Sequence, residues 1–280
     1  MILVTTAGKV GSEAARLLAK REVPVRVLVR DPEKAKALAD TGAEIAVGDL
    51  AVPASIDEAM AGVTSVVLVS PAVPAQELNV VASAARAGVG HVVKATSKAS
   101  ADSPIARRRW QTEIEAGLAA SGVPHTLLRS NAYMHNVLAL APAIAKTSGF
   151  GSSAGTGRIG MIDARDVAAV AANIAASPAP HAGQTYWLTG PALITYYDVA
   201  AVLSKLLGRT VTYRELTFDQ DQDTMIRAGV PEQIAGMNAH AASLTAGGDA
   251  AWVTDDVPSL LGRAARSFEE FATDYANAFS

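Results

Sequence analysis

The chain has 280 residues, half of them hydrophobic, which is enough to bury a large core and argues against disorder. Lys and Arg total 24 against 27 Asp and Glu, a net charge of −3, so no basic face is available to track a nucleic-acid backbone. There is no cysteine, which removes disulfides, thiolate nucleophiles and cysteine-held metals.

The first 130 residues alternate short β-branched runs with alanine-rich helical stretches. Strands are expected at 2–5, 25–30, 44–47, 65–70, 91–96 and 125–129, with helices at 11–21, 32–39, 55–60, 75–87 and 110–120. The strands, such as VRVLV and SVVLVS, are continuously apolar rather than alternating, as a parallel sheet covered on both faces requires. Gly42, Gly62, Gly88 and Gly122 punctuate the helix ends. The pattern predicts an α/β Rossmann-type doubly wound parallel sheet. Arg107-Arg108-Arg109, the densest basic run, reads as a solvated lead into a helix.

Beyond Arg129 the rhythm loosens. A helix is expected at 137–146, a mobile glycine- and serine-rich loop at 149–160, and a helix at 164–177. A strand at 185–189, a helix at 196–207 and a strand at 210–216 come next, then an acidic patch at 219–223 and a closing helix at 267–279. The division expected is a dinucleotide-binding core over 1–130 and a smaller C-terminal α/β substrate-covering lobe over 131–280, some elements of which return to the core.

The first turn carries the strongest chemical signal. A strand runs into Thr5-Thr6-Ala7-Gly8-Lys9-Val10-Gly11 and then a helix. Such a turn aims backbone N–H groups and the positive end of the helix dipole at a pyrophosphate. Gly8 permits close backbone approach and Gly11 close helix–strand packing, while Thr5 or Thr6 stands where a leading glycine is usual. Strand 2 ends in Arg30, a group suited to a 2′-phosphate, in place of the acid that selects a free ribose hydroxyl; NADP(H) is therefore the expected cofactor. Lys9 adds a second charge, and Asp31 before Pro32 reads as a helix cap. Asp49 and Leu50 after strand 3, Ser70-Pro71-Ala72 after strand 4, and Thr96-Ser97 after strand 5 complete a row at the strand ends where ligands of such sheets lie. Asp163 and Asp166 read as a cap and first-turn acid of the next helix.

The segments VTTAGKVG, VRVLVRDPEKAKALADTGAEIAVGDL, VVLVSPA, HVVKATSKASADS, RRRWQTEIEAGLAASGVPHTLLRSNAYMHN, IDARDVAAVA and TYWLTGPALITYYDVAAVLSKLLGR occur in that order. In these the chain resembles the NmrA-like group of atypical short-chain dehydrogenase/reductases, similar to type 2 NAD(P)H:quinone oxidoreductases and triphenylmethane reductases. It departs from the group in two places. The usual loop TGATGKVG is here a residue shorter, and Gln111 follows Trp110 where relatives commonly have histidine.

A conventional reductase of this superfamily uses a tyrosine four residues before a lysine, and none of Tyr133, Tyr186, Tyr196, Tyr197, Tyr213 and Tyr275 has that lysine. Carbonyl reduction by that dyad is ruled out. The resemblance implies an NADPH-dependent oxidoreductase that transfers hydride to a quinone-like or other planar small-molecule acceptor. Asn131, Tyr133 and His135, with Met134, are expected at the nicotinamide end, Tyr133 or His135 as proton donor, and Phe150 as a cover over the substrate. Two alternatives stay open: a non-catalytic NADP(H)-sensing regulator, and a relative doing non-redox chemistry without the cofactor. No metal is expected, nor a nucleic-acid or membrane partner. A cytoplasmic location is the expectation, with a homo-oligomer an open alternative to a monomer.

Overall fold

The computed structural model describes residues 1–280, the side chain of Lys34 apart. The chain divides into two compact units. The first comprises Met1–Asp102, Arg107–Ser130 and Ala164–Trp187; the second comprises Ser103–Ala106, Asn131–Asp163 and Leu188–Ser280.

In the first unit the order is β1 (Ile2–Val4), α1 (Lys9–Lys20), β2 (Val25–Val29), α2 (Lys36–Ala39), β3 (Glu44–Val47), α3 (Pro53–Ala59), β4 (Ser65–Leu68), α4 (Pro74–Arg86), β5 (His91–Ser97), α5 (Ala106–Ala120) and β6 (His125–Ser130). The sheet has seven strands in the order β3-β2-β1-β4-β5-β6-β8, where β8 is Thr185–Leu188. The pairs from β3 through β6 are parallel, with Leu3 opposite Arg26 on one side and Val66 on the other. This is the Rossmann-type α/β sheet, extended by a seventh strand.

Leu3, Val27, Val66, Val67, Val92 and Val93 are sealed from solvent, as strands covered on both faces must be. Leu28, Ile56, Leu68, Val80 and Leu118 close one core with Leu3, Val66 and Val92. Against α1 packs α7 (Ala164–Ala176), whose alanines are buried nearly all round and let the two helices approach closely. Arg26 bonds Glu44 on the edge strand at 2.7 Å and caps the carbonyls of Ala59 and Ala61 at the end of α3. The arginines 107–109 lie in the first turns of α5 rather than in a loop before it.

The second unit holds α6 (Ala141–Thr147), β7 (Gly149–Ser152), α8 (Tyr196–Leu207), β9 (Thr212–Glu215), α9 (Phe218–Arg227), α10 (Glu232–Ala246), α11 (Asp256–Leu261) and α12 (Phe268–Asp274). Its core gathers Met134, Ile144, Phe150, Leu203, Phe271 and Phe279. The expected mobile loop at 149–160 is corrected here: Gly149–Ser152 forms β7, parallel to β9 with Phe150 opposite Tyr213. The buried Asp221 carboxylate anchors the end of β7, accepting from Ser153 N–H at 2.7 Å and from the hydroxyls of Ser152 and Ser153. The expected acidic patch is accordingly part of α9. The closing helix is also interrupted, with α12 ending at Asp274 and a 3-10 turn at Ala276–Ala278.

Candidate active site

In the first unit, the sequence order reverses between β1 and β4, and the carboxyl ends of those strands are where an open α/β sheet offers its crevice. Helix α1 begins there with Gly8 as its cap residue. No side chain caps it, and no acid lies in its first turn. The backbone N–H groups that open a helix have no intrahelical partner and carry a partial positive charge, so this end is suited to an anion. A Cβ built at Gly8 meets nothing nearer than Thr6 Oγ1 at 3.8 Å, so the space above it is open. At Gly11 a Cβ would fall 1.9 Å from the Thr6 carbonyl oxygen; only glycine lets the helix lie that close to the turn.

Thr5 accounts for the absent leading glycine. Its φ is not among the positive values, which among the described non-glycine residues belong to Glu22, Ala72 and Ser148. The turn therefore asks for no conformation that glycine alone provides. Its side chain points inward, almost fully buried. Thr5 Oγ1 donates to the Val69 carbonyl at 2.8 Å and accepts from Val69 N–H at 2.9 Å, and Thr6 Oγ1 donates to the same carbonyl at 3.0 Å. These bonds tie the ends of β1 and β4 together without filling the space over Gly8.

Lys9 and Arg30 are both exposed, and neither makes an ion pair among the described residues. Asp31 caps the turn after β2, accepting from Glu33 N–H at 3.1 Å. Val10 and Leu50 bury their side chains and offer only backbone, the Leu50 carbonyl accepting from Asn79. Asp49 accepts from Ala51 N–H at 2.8 Å, which closes its own turn. Pro71 and Ser97 are accessible. Thr96 is buried and donates to Glu115 at 3.0 Å, so its hydroxyl serves α5 rather than the strand-end row. Glu115 also holds Arg129 at 2.5 Å, whose guanidinium lies 5.1 Å from the Trp187 ring centre.

A buried ion pair lies under the row. Lys94 Nζ sits 2.7 Å from Glu77 Oε2, with both side chains fully inaccessible, and Ser70 Oγ donates to Glu77 Oε1 at 2.6 Å. Burial pushes the Lys94 ammonium below its ordinary range, and the Glu77 carboxylate beside it works in the opposite direction. A lysine inside the apolar run HVVKATS was visible in the sequence, but its partner lies on another element and had no local signal.

In the second unit, Asn131 is buried and committed. Its amide donates to the carbonyls of Ala250 and Trp252 and its oxygen accepts from Ala132 N–H. His135, expected at the nicotinamide end, is buried in an aromatic cluster. Its Nε2 lies 3.1 Å from the Tyr275 hydroxyl, and the rings of Phe271 and Tyr275 meet it edge-on at 4.9 and 5.2 Å. Phe150 is likewise buried, against Tyr196 and Tyr213. Tyr133 is half-buried where a 3-10 turn begins, opposite Ile162.

Strand order, an open glycine turn and an uncapped helix start together define a Rossmann-type α/β protein with an anion-receiving carboxyl edge. The profile of the NmrA-like family matches residues 1–272, and the chain belongs to that family. It is 38% identical over 283 residues to an NAD(P)H azoreductase of Xenophilus azovorans, covering 100% of this chain and 99% of the relative. It is 38% identical over 287 residues to a (4-alkanoyl-5-oxo-2,5-dihydrofuran-3-yl)methyl phosphate reductase of Streptomyces griseus, at the same coverage of both chains. The crystal structure of the NADPH-dependent quinone oxidoreductase of Escherichia coli complexed with NADPH superposes with a TM-score of 0.90 at 30% identity, covering 99% of this chain and 100% of that one.

Proposed function

We propose that the protein is an NADP(H)-dependent reductase that delivers hydride to a conjugated, planar small-molecule acceptor. The observation that carries this reading is the α1 start, uncapped beneath the open Gly8, with exposed Arg30 at the tip of the neighbouring strand. The donor set fits NADP(H). The N–H groups that open α1 suit the pyrophosphate, while Arg30 and Lys9 suit the 2′-phosphate, whose charge a guanidinium meets with two hydrogen bonds. When bound, NADPH supplies the hydride.

The chain's own residues then hold, orient and protonate. Thr5 and Thr6 keep the turn shut against β4, and Pro71, Ala72 and Ser97 present the strand ends toward the reduced ring. The first unit is assigned to the dinucleotide, and the second is assigned the residues that select the acceptor. Tyr133, half-buried just after β6, is the proton donor we assign there. The acceptors named for the relatives contain an azo group, a quinone and an unsaturated lactone; each takes hydride at one end of a conjugated system and a proton at the other. That chemistry needs no Tyr–Lys dyad, and this chain has none.

Steady-state NADPH oxidation against a panel of quinones, azo dyes and unsaturated lactones tests the assignment. Turnover with at least one is expected, and no turnover with any overturns it. Arg30→Ala should weaken NADPH about tenfold to a hundredfold, since it removes charge-assisted bonds, and leave NADH within about twofold. NADPH binding without turnover on any acceptor would favour a redox-sensing role for the same fold.

A further inference from the structure

Lys94 lies in the middle of β5, a strand buried along its length up to Ser97, and a buried ammonium is tolerated only when it is paired. Lys94 Nζ meets Glu77 Oε2 at 2.7 Å and donates to the Ala95 carbonyl at 2.8 Å. The other Glu77 oxygen takes the Ser70 hydroxyl at 2.6 Å, and that hydroxyl in turn accepts from Ala72 N–H at 3.1 Å. Ala72 is buried with φ +62°, a left-handed conformation that costs a residue with a Cβ and persists only where its surroundings over-determine it. From the other side the same segment is held by Thr5 and Thr6 through Val69. Residues 69–72 are thus fixed between the phosphate turn and the buried pair, at the carboxyl edge beside the point where the strand order reverses. A buried ion pair is a poor source of net stability, so what it is attached to is the better account of why it is there.

We propose that Glu77 and Lys94 are positioning residues for the dinucleotide: through Ser70 they hold residues 69–72 in the backbone conformation that receives it. This rests on the NADP(H) reading above. Both side chains are sealed from solvent, so they act through Ser70 rather than by contact. Lys94 holds the Glu77 carboxyl group in place across 2.7 Å, that group fixes the Ser70 hydroxyl, and the hydroxyl fixes Ala72.

Three variants decide it, each measured for NADPH affinity by fluorescence titration, for KM and kcat, and for Tm. Ser70→Ala should raise the Kd and KM for NADPH about five- to tenfold, the loss of one buried hydrogen bond, with kcat at saturating NADPH changing less than about twofold. Ser70→Thr, which keeps the hydroxyl, should recover most of that affinity. Glu77→Leu combined with Lys94→Met removes both charges at once, and should raise Kd to a similar degree with Tm equal to or above wild type. A purely structural pair would give the opposite result, a lowered Tm with wild-type NADPH affinity, and would overturn the proposal. If the double variant does not fold, the Ser70 pair decides alone. Wild-type protein that fails to bind NADPH would remove the underlying reading and this proposal with it; wild-type binding with unaffected variants would remove this proposal only.

Discussion

The two edges of the first unit's sheet treat their polar groups in opposite ways. At the amino edge, where β5 and β6 begin, His91 Nε2 meets Thr126 Oγ1 at 2.9 Å and that hydroxyl donates to the His181 carbonyl at 2.6 Å. His181 Nδ1 lies 2.8 Å from the Tyr186 hydroxyl, and His125 Nδ1 lies 3.0 Å from the Val123 carbonyl. These five side chains are satisfied by one another or by the backbone. At the carboxyl edge, α1 starts uncapped, the space over Gly8 is open, and Lys9 and Arg30 face solvent. An open helix start and exposed cations add little to folding, whereas an anionic ligand can use both. The contrast teaches that the carboxyl edge is built for something outside the chain and the amino edge for the chain itself.

That contrast breaks if substitutions at the two edges have interchangeable consequences. The largest effect is expected between the edges. Lys94→Met alone strands a buried Glu77 carboxylate and should cost about 3–5 kcal/mol in denaturant unfolding, most of it recovered by adding Glu77→Leu. Next comes Gly11→Ala, whose methyl would lie 1.9 Å from the Thr6 carbonyl oxygen. Moving the helix off the turn should cost about 2–3 kcal/mol and weaken NADPH at least about tenfold. Thr5→Val keeps the shape but breaks two bonds to Val69, and about 1–2 kcal/mol of stability should be lost, with a measurable rise in the Kd for NADPH.

The smallest effect belongs to the amino edge and should touch stability alone. Burial, with His125 and His181 nearby, pushes His91 below its ordinary value. The unfolded chain then binds the proton first, so this histidine's contribution is complete above about pH 6.5 and is lost as pH falls from there toward the folded pKa. Melting temperature should fall over that window, and His91→Gln should flatten the fall without altering NADPH affinity. A shift in affinity would dissolve the distinction between the edges.

Some elements were legible in the chain because their causes are local. The runs VRVLV and HVVKATS announce buried parallel strands, and TTAGKVG before an alanine-rich helix announces an anion turn. Arg30 after strand 2 could be placed at its tip by counting. Other features were not legible because their cause was distant. Composition makes residues 149–160 look like a loop, yet β7 exists because β9, some 60 residues on, supplies its ladder and Asp221 supplies its anchor. His135 comes after a strand end as a site histidine would, but Tyr275 and Phe271, from the far end of the chain, enclose it.

By itself, then, the order of residues determined the winding of the sheet, the phosphate turn and the charge that suits a 2′-phosphate, because periodicity, glycine placement and strand-end position act within a few neighbours. Only the tertiary structure decided how a threonine replaces the leading glycine, which polar side chains are spent on packing, and where the Lys94 charge finds its counterion. Each of those depends on a partner brought close by the fold, and hydrogen bonds and ion pairs act only at contact distance.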